Sequence, residues 1–123
     1  MNRYRGAMSE VTIYHNPNCG TSRSTLALLR EKGVEPTVVE YVTSGWTKAQ
    51  LQDLLARMDL RARDILRVNG TNADALGLTD PGASDEALIA AMIIEPILVN
   101  RPIVVTAKGA ALCRPAELVL GLL

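Results

Sequence analysis

Cys19 stands in the segment HNPNCGTSR, between a short β-branched run and a helical pattern. A cysteine at that place meets the orphan N–H groups of Gly20, Thr21 and Ser22 and the positive end of the helix dipole. Both favour the thiolate, which is the nucleophilic form of cysteine. Lowering a thiol pKa by two units takes about 2.7 kcal/mol, of which a helix end supplies about 1–2 kcal/mol. The remainder falls to the Ser22 hydroxyl, to Arg23, or to His15 if that ring is protonated and near. The alternative is a buried, inert thiol; the polar Asn16, Asn18, Thr21 and Ser22 around Cys19 weigh against it.

The spacing narrows the chemistry. Cys19-Gly20-Thr21-Ser22 is CxxS rather than CxxC, so no local resolving thiol makes a self-contained dithiol site. The CxxxxxR phosphatase loop does not fit, because Thr25 occupies the arginine position and Arg23 comes too early. Cys113, the second thiol, ends a strand pattern and reads as a core cysteine; to resolve Cys19 its Cα would have to come within about 4.4–6.8 Å. His15, the lone histidine, either tunes Cys19 and shuttles its proton or is a plain loop residue. One histidine with two distant cysteines gives no metal-ligand spacing, so no metal is expected.

Ten arginines accompany three lysines, a bias that a high-GC genome also produces. Arginine offers a planar fork of donors suited to tetrahedral oxyanions. Arg101 and Arg114 flank a terminal hairpin and emerge at one edge of its sheet. Should that edge lie beside Cys19, two guanidiniums face the nucleophile, and Arg67 at the end of a short helix adds a third. Such a cluster binds a tetrahedral dianion and holds charge that develops during attack. The other reading is three unrelated surface arginines. Arg57, Arg61 and Arg63 read as solvated helix-face charges.

These residues need a scaffold. VTIY (11–14) and TVVEYV (37–42) read as strands around a helix carrying Leu26, Ala27 and Leu29 on its apolar side and stopped by Gly33. That is a βαβ unit with a parallel pair. Thr47 and Gln50 form a capping-box pattern for a helix to about Met58. A short helix follows over 62–67, then a loop over 69–82 with one helical turn. Ser84 caps a helix to about Ile94, ahead of Pro96. Strands at 101–106 and 110–113 enclose a Lys108-Gly109 turn, and Pro115 opens a closing helix to Leu122. The order is βαβ, helical insertion, ββα: an α/β fold with a mixed four-stranded sheet.

The 123 residues fit one domain, expected over 10–123 behind a tail at 1–9. Hydrophobic residues make up 48% and charged residues 21%, an ordinary globular mix. Thirteen basic residues balance thirteen acidic ones, which argues against nucleic-acid binding. No apolar run approaches the roughly 20 residues of a membrane span, and the N-terminus lacks the pattern of a secretory signal. A reducing cytoplasm and a monomer are the expectations.

Three stretches carry a resemblance. VTIYHNPNCGTSRSTL (11–26), ILVNRPIVVT (97–106) and LCRPAE (112–117) match, in order, ITIYHNPxCGTSRxTL, ILxNRPIVVT and LCRPxE of the glutathione- and glutaredoxin-dependent arsenate reductases. The resemblance implies a thioredoxin-like fold with a helical insertion and Cys19 as the residue attacking arsenate. It implies Arg67, Arg101 and Arg114 as oxyanion ligands, His15 as favouring the thiolate with Ser22 in the same motif, and a cis bond before Pro102. It implies no bound cofactor, glutathione as co-substrate and glutaredoxin as partner. Spx-like transcription regulators share the fold but carry CxxC where Ser22 stands here. Other glutathione-linked reductases of this fold differ around the cysteine. Retention of RNA polymerase in a pull-down marks the first, and failure to respond to arsenate marks the second.

Overall fold

The computed structural model describes residues 10–123, so the tail expected at 1–9 lies outside the described residues. The chain divides into two compact units: residues up to Glu40 together with Arg101–Leu123, and Tyr41–Asn100.

The first unit holds the sheet. Strand β1 (Thr12–His15), helix α1 (Gly20–Glu31) and strand β2 (Thr37–Glu40) form the βαβ unit, and β3 (Ile103–Thr106) and β4 (Gly109–Leu112) form the hairpin. The strand order is β2-β1-β3-β4. β1 and β2 are parallel, with Ile13 opposite Val38. β1 and β3 are antiparallel, with Ile13 opposite Val104, and β3 and β4 are antiparallel. Val11, Ile13, Leu29, Val34, Val104, Cys113 and Val119 make its core, each large aliphatic side chain contributing roughly 1.5–3 kcal/mol of burial free energy. The mixed four-stranded α/β sheet expected from the sequence is present.

Helix α1 buries Leu29 as expected, but the rest of its buried face differs from the expected one. Ser22, Thr25 and Leu29 are its buried residues, whereas Ala27 is exposed and Leu26 is only partly buried against the core. The polar pair is tolerated because each hydroxyl has a partner: Thr25 Oγ1 donates to the Thr21 carbonyl at 2.8 Å, and Ser22 bonds to the loop before the helix. Gly33 has φ +82° beyond the helix end, as its expected stop role requires.

β2 ends at Glu40, not at Val42. Tyr41 turns inward and its hydroxyl donates to the Val99 carbonyl at 2.9 Å, with its ring centroid 5.1 Å from that of Trp46. Burying this side chain takes the backbone out of the strand and into a helical turn, α2 (Tyr41–Ser44), closed by Gly45 at φ +77°.

α2 opens the second unit. Helix α3 (Lys48–Met58) starts on the expected capping box: Gln50 N–H donates to Thr47 Oγ1 at 3.1 Å, and Thr47 N–H donates to Gln50 Oε1 at 2.8 Å. α4 (Asp85–Ile94) starts at Ser84, whose hydroxyl accepts from Ala87 N–H at 3.1 Å. Between them the short helix is a 3₁₀ turn over Ala62–Ile65. It does not reach residue 67, because Leu66 pairs with Val99 as an isolated bridge and Arg67 N–H donates to the Leu98 carbonyl at 2.7 Å. The segment 69–82 forms turns, one of them the expected helical turn, closed by the Leu76 N–H donating to the Asn72 carbonyl at 3.0 Å. Arg57 and Arg61 pair with Asp53 and Asp85, each at 2.9 Å, and Arg63 caps the Pro81 and Ala83 carbonyls; none of the three is simply solvated.

Back in the first unit, the closing helix is a 3₁₀ helix over Ala116–Leu122. Pro115 stands before it in extended conformation rather than at its first helical position. The Arg101–Pro102 bond is cis, and so is Arg114–Pro115, which the sequence had not pointed to. Among the described residues no helix is long and apolar enough to cross a membrane.

Candidate active site

The loop 16–19 is built to present one sulfur. Pro17 fixes its own φ, and the Asn16 side chain accepts from Asn18 N–H at 2.9 Å, closing an Asx turn. Cys19 N–H donates to the Asn16 carbonyl at 3.0 Å. Cys19 is then the N-cap of α1, with φ −107° and ψ 124°, and it has no side-chain cap bond. Its carbonyl accepts from Arg23 N–H at 3.0 Å, the first bond of the helix, and of the first-turn amides the Ser22 N–H is the one that acts on the sulfur.

Cys19 is only 6% exposed. Burial pushes its thiol pKa up, but the net result lies below the ordinary 9.0. The opposing causes are the Ser22 backbone N–H, the charge of Arg101, and hydrogen bonds from the Arg114 and Arg101 side chains. Arg114 Nη1 lies 3.7 Å from Sγ and also donates to the Arg101 carbonyl at 2.9 Å. That second bond locks one arginine against the backbone of the other, so the two flanks of the hairpin meet at the sulfur. Arg23, a candidate for the same task from sequence, is not among the groups acting on the thiol.

Ser22 is fully buried and serves as a hub. Its Oγ accepts from Asn16 N–H at 3.0 Å and lies 2.6 Å from His15 Nδ1. With one lone pair committed to Asn16, the hydroxyl hydrogen is free for the imidazole. Burial lowers the His15 pKa below 6.5, with Arg30 and Arg23 adding to the effect and Glu40 opposing it. The lowered pKa favours the neutral ring, whose Nδ1 shares this hydrogen bond with the Ser22 hydroxyl. His15 reaches the sulfur through Ser22 and the loop, not as an imidazolium beside it. The sequence named His15 and Ser22 but gave Asn16 only as a polar neighbour, whereas its backbone and side chain tie the loop together; the Asn-Pro dipeptide was the signal for that role.

Cys113 is wholly buried in the core, and burial alone pushes its thiol up to about 11. Pro102 follows Arg101 through the cis bond, and its carbonyl accepts from Cys113 N–H at 2.9 Å. Arg67 belongs to the second unit, where its Nε donates to the Asn69 carbonyl at 2.9 Å. Among the described residues no group of three or more histidine, cysteine or acidic residues is placed to hold a metal ion.

The arrangement offers a thiolate nucleophile with two guanidiniums and a helix-tip amide around it, a setting that favours an oxyanion over a neutral electrophile. Comparison with known proteins points the same way. The model of the ArsC family matches residues 14–122. An arsenate reductase of Rhizobium meliloti (strain 1021) is 53% identical over 113 residues, covering 92% of this chain and 81% of that protein. One from Escherichia coli is 48% identical over 116 residues, covering 94% and 82%. The structure of an arsenate reductase from Vibrio cholerae superposes with a TM-score of 0.89 at 42% identity, covering 95% of this chain and 99% of that one.

Proposed function

Since the chain belongs to the ArsC family, we propose that it is an arsenate reductase drawing its electrons from glutathione and glutaredoxin. The observation that carries this reading is the convergence of the Ser22 N–H, Arg101 and Arg114 on the Cys19 sulfur.

Arsenate binds with its oxygens on Arg101 and Arg114, and Arg67 is the third ligand by resemblance. The Cys19 thiolate attacks arsenic and an oxygen leaves as water after protonation, giving a Cys19–S–As(V) ester. A glutathione thiolate displaces a second oxygen, again lost as water, and arsenic remains As(V). A glutaredoxin thiolate then attacks the glutathione sulfur. The S–As bond breaks, its electron pair reduces As(V) to As(III), and the two external sulfurs leave as a mixed disulfide. Water releases arsenite from Cys19 and restores the thiol.

External thiols suit a site that reads CxxS. They also suit a second cysteine whose burial keeps it protonated near neutral pH. No bound cofactor is needed, because both electrons come from thiols. A cytoplasmic monomer is the setting we assign, since the chemistry requires a reduced glutathione pool. The test is NADPH oxidation in a coupled system of glutathione, glutaredoxin and glutathione reductase. Consumption is expected only when arsenate is present; consumption that ignores arsenate would sink the reading.

A further inference from the structure

Arg23 sits one turn into α1, linked to Cys19 by its N–H bond to the Cys19 carbonyl at 3.0 Å. Its Nη1 donates to the Pro17 carbonyl at 2.8 Å, which lays the guanidinium along the loop that leads to the nucleophile. A Cβ placed on Gly20 would meet Nη2 at 3.7 Å, so the other end of the fork lies over the residue that follows Cys19. The Arg23 side chain is exposed.

The charge of Arg23 is not neutralised as that of Arg30 is. Arg30, on the same helix, is paired with Glu35 at 3.0 Å, but no ion pair among the described residues includes Arg23. The sequence from Val11 to Arg30 contains no acid at all, and the first turn of α1 has none. Nor does Arg23 belong with the arginines that act on the sulfur: Arg101 and Arg114 do that, while the charge of Arg23 is felt at His15. The loop that leads to the nucleophile therefore carries an arginine held in place by a carbonyl, on neither the sulfur nor a carboxylate.

We propose that Arg23 receives a carboxylate of the incoming thiol co-substrate. The inference rests on the reading of the site as a glutathione-using arsenate reductase. Arg101 and Arg114 are occupied with arsenate oxygens when the second thiol arrives, so a different cation is required to orient it. Glutathione carries two carboxylates, and a guanidinium already fixed at one nitrogen loses little side-chain freedom in pairing with one of them. The role is specificity and orientation; the bond-making atoms remain those of Cys19, arsenic and the glutathione sulfur.

The experiment compares the wild type with Arg23→Gln and Arg23→Lys, using glutathione and glutathione diethyl ester, in which both carboxylates are masked. Arg23→Gln is expected to raise the KM for glutathione about fivefold, the size of an exposed, partly organised ion pair. The KM for arsenate is expected to stay within twofold. The wild type should prefer glutathione over its diester by a similar factor, Arg23→Gln should lose the preference, and Arg23→Lys should regain part of it. A purely structural Arg23 would raise both KM values together and leave the preference for glutathione intact; either result overturns the proposal. A wild type that shows no arsenate-dependent turnover with glutathione overturns the underlying reading too, and does so before any variant is compared.

Discussion

The two cysteines have almost the same exposure and opposite chemistry. Cys19 is 6% exposed and Cys113 is 0% exposed. The thiol of Cys19 lies below 9.0, while that of Cys113 is pushed up to about 11. Burial raises both. What separates them is the company each keeps: Cys113 sits among Ile13, Val104 and Val119 in the core, and among the described residues its thiol makes only a weak hydrogen bond, to the Ala111 carbonyl. Cys19 has a helix-tip amide and two guanidiniums. Exposure is thus a poor guide to which thiol reacts; the donors aimed at the sulfur decide.

The largest break in this comparison is to remove each sulfur in turn. Cys19→Ser is expected to lower arsenate-dependent NADPH oxidation by about a thousandfold or more, since a serine hydroxyl stays protonated where a thiol ionises. Cys113→Ser should retain most of the activity. Equal loss in both would mean that an intramolecular disulfide, not an external thiol, resolves the intermediate.

Removing the donors while keeping the sulfur should make Cys19 behave more like Cys113. Arg114→Ala deletes the Nη1 contact and unlocks Arg101, so kcat/KM for arsenate should fall about 10- to 100-fold. The pH profile of iodoacetamide alkylation at Cys19 should move upward toward 9.0. An unmoved profile would show that the helix tip suffices without the arginine.

Ser22→Ala attacks the loop rather than the charges. It leaves the Asn16 N–H and the His15 ring without their partner in a buried place, a loss of about 1–3 kcal/mol in stability, measurable by denaturant unfolding. The neutral His15 adds a pH dependence of defined sign. Its folded pKa lies below 6.5, so its contribution is fully present above that value and is lost as pH falls through it. His15→Gln should flatten this acid limb; a wild type more stable at pH 5 than at pH 7 would contradict a neutral buried ring.

The narrowest effect, confined to alkaline pH, is at Cys113 itself. Its folded pKa of about 11 lies above the ordinary 9.0, so the protonated thiol stabilises the fold below pH 9. That contribution fades as pH climbs from about 9 to 11, by about 2–3 kcal/mol at most. Cys113→Ala should lack this part of the alkaline loss when unfolding curves at pH 8 and 10.5 are compared; equal slopes would mean that the thiol is not held apart from solvent.

How much of this was legible depends on the range of the interaction involved. The capping box at Thr47 and Gln50, the cap at Ser84 and the stop at Gly33 involve neighbours three or four residues apart, and all three are in place. The end of β2 was not legible, because it turns on Tyr41 finding Val99, 58 residues away. The buried face of α1 was legible at Leu29 but not throughout, for a related reason. A hydrophobic pattern favours Leu26 and Ala27, but Ser22 and Thr25 go inside since the loop before the helix and the helix itself satisfy their hydroxyls. At the site, the helix-tip setting of Cys19 could be inferred locally. The choice of Arg101 and Arg114 over Arg23 as its electrostatic partners could not.

The sequence by itself determined the βαβ and ββα elements, the caps and the placing of a cysteine at a helix start, all of which depend on backbone preferences within a turn or two. Only the tertiary structure decided what surrounds that cysteine. Arg114 meets Cys19 across 95 positions of chain, and a sulfur's ionisation depends on the field at one point in space, which the folded sheet assembles from segments that sequence distance keeps apart.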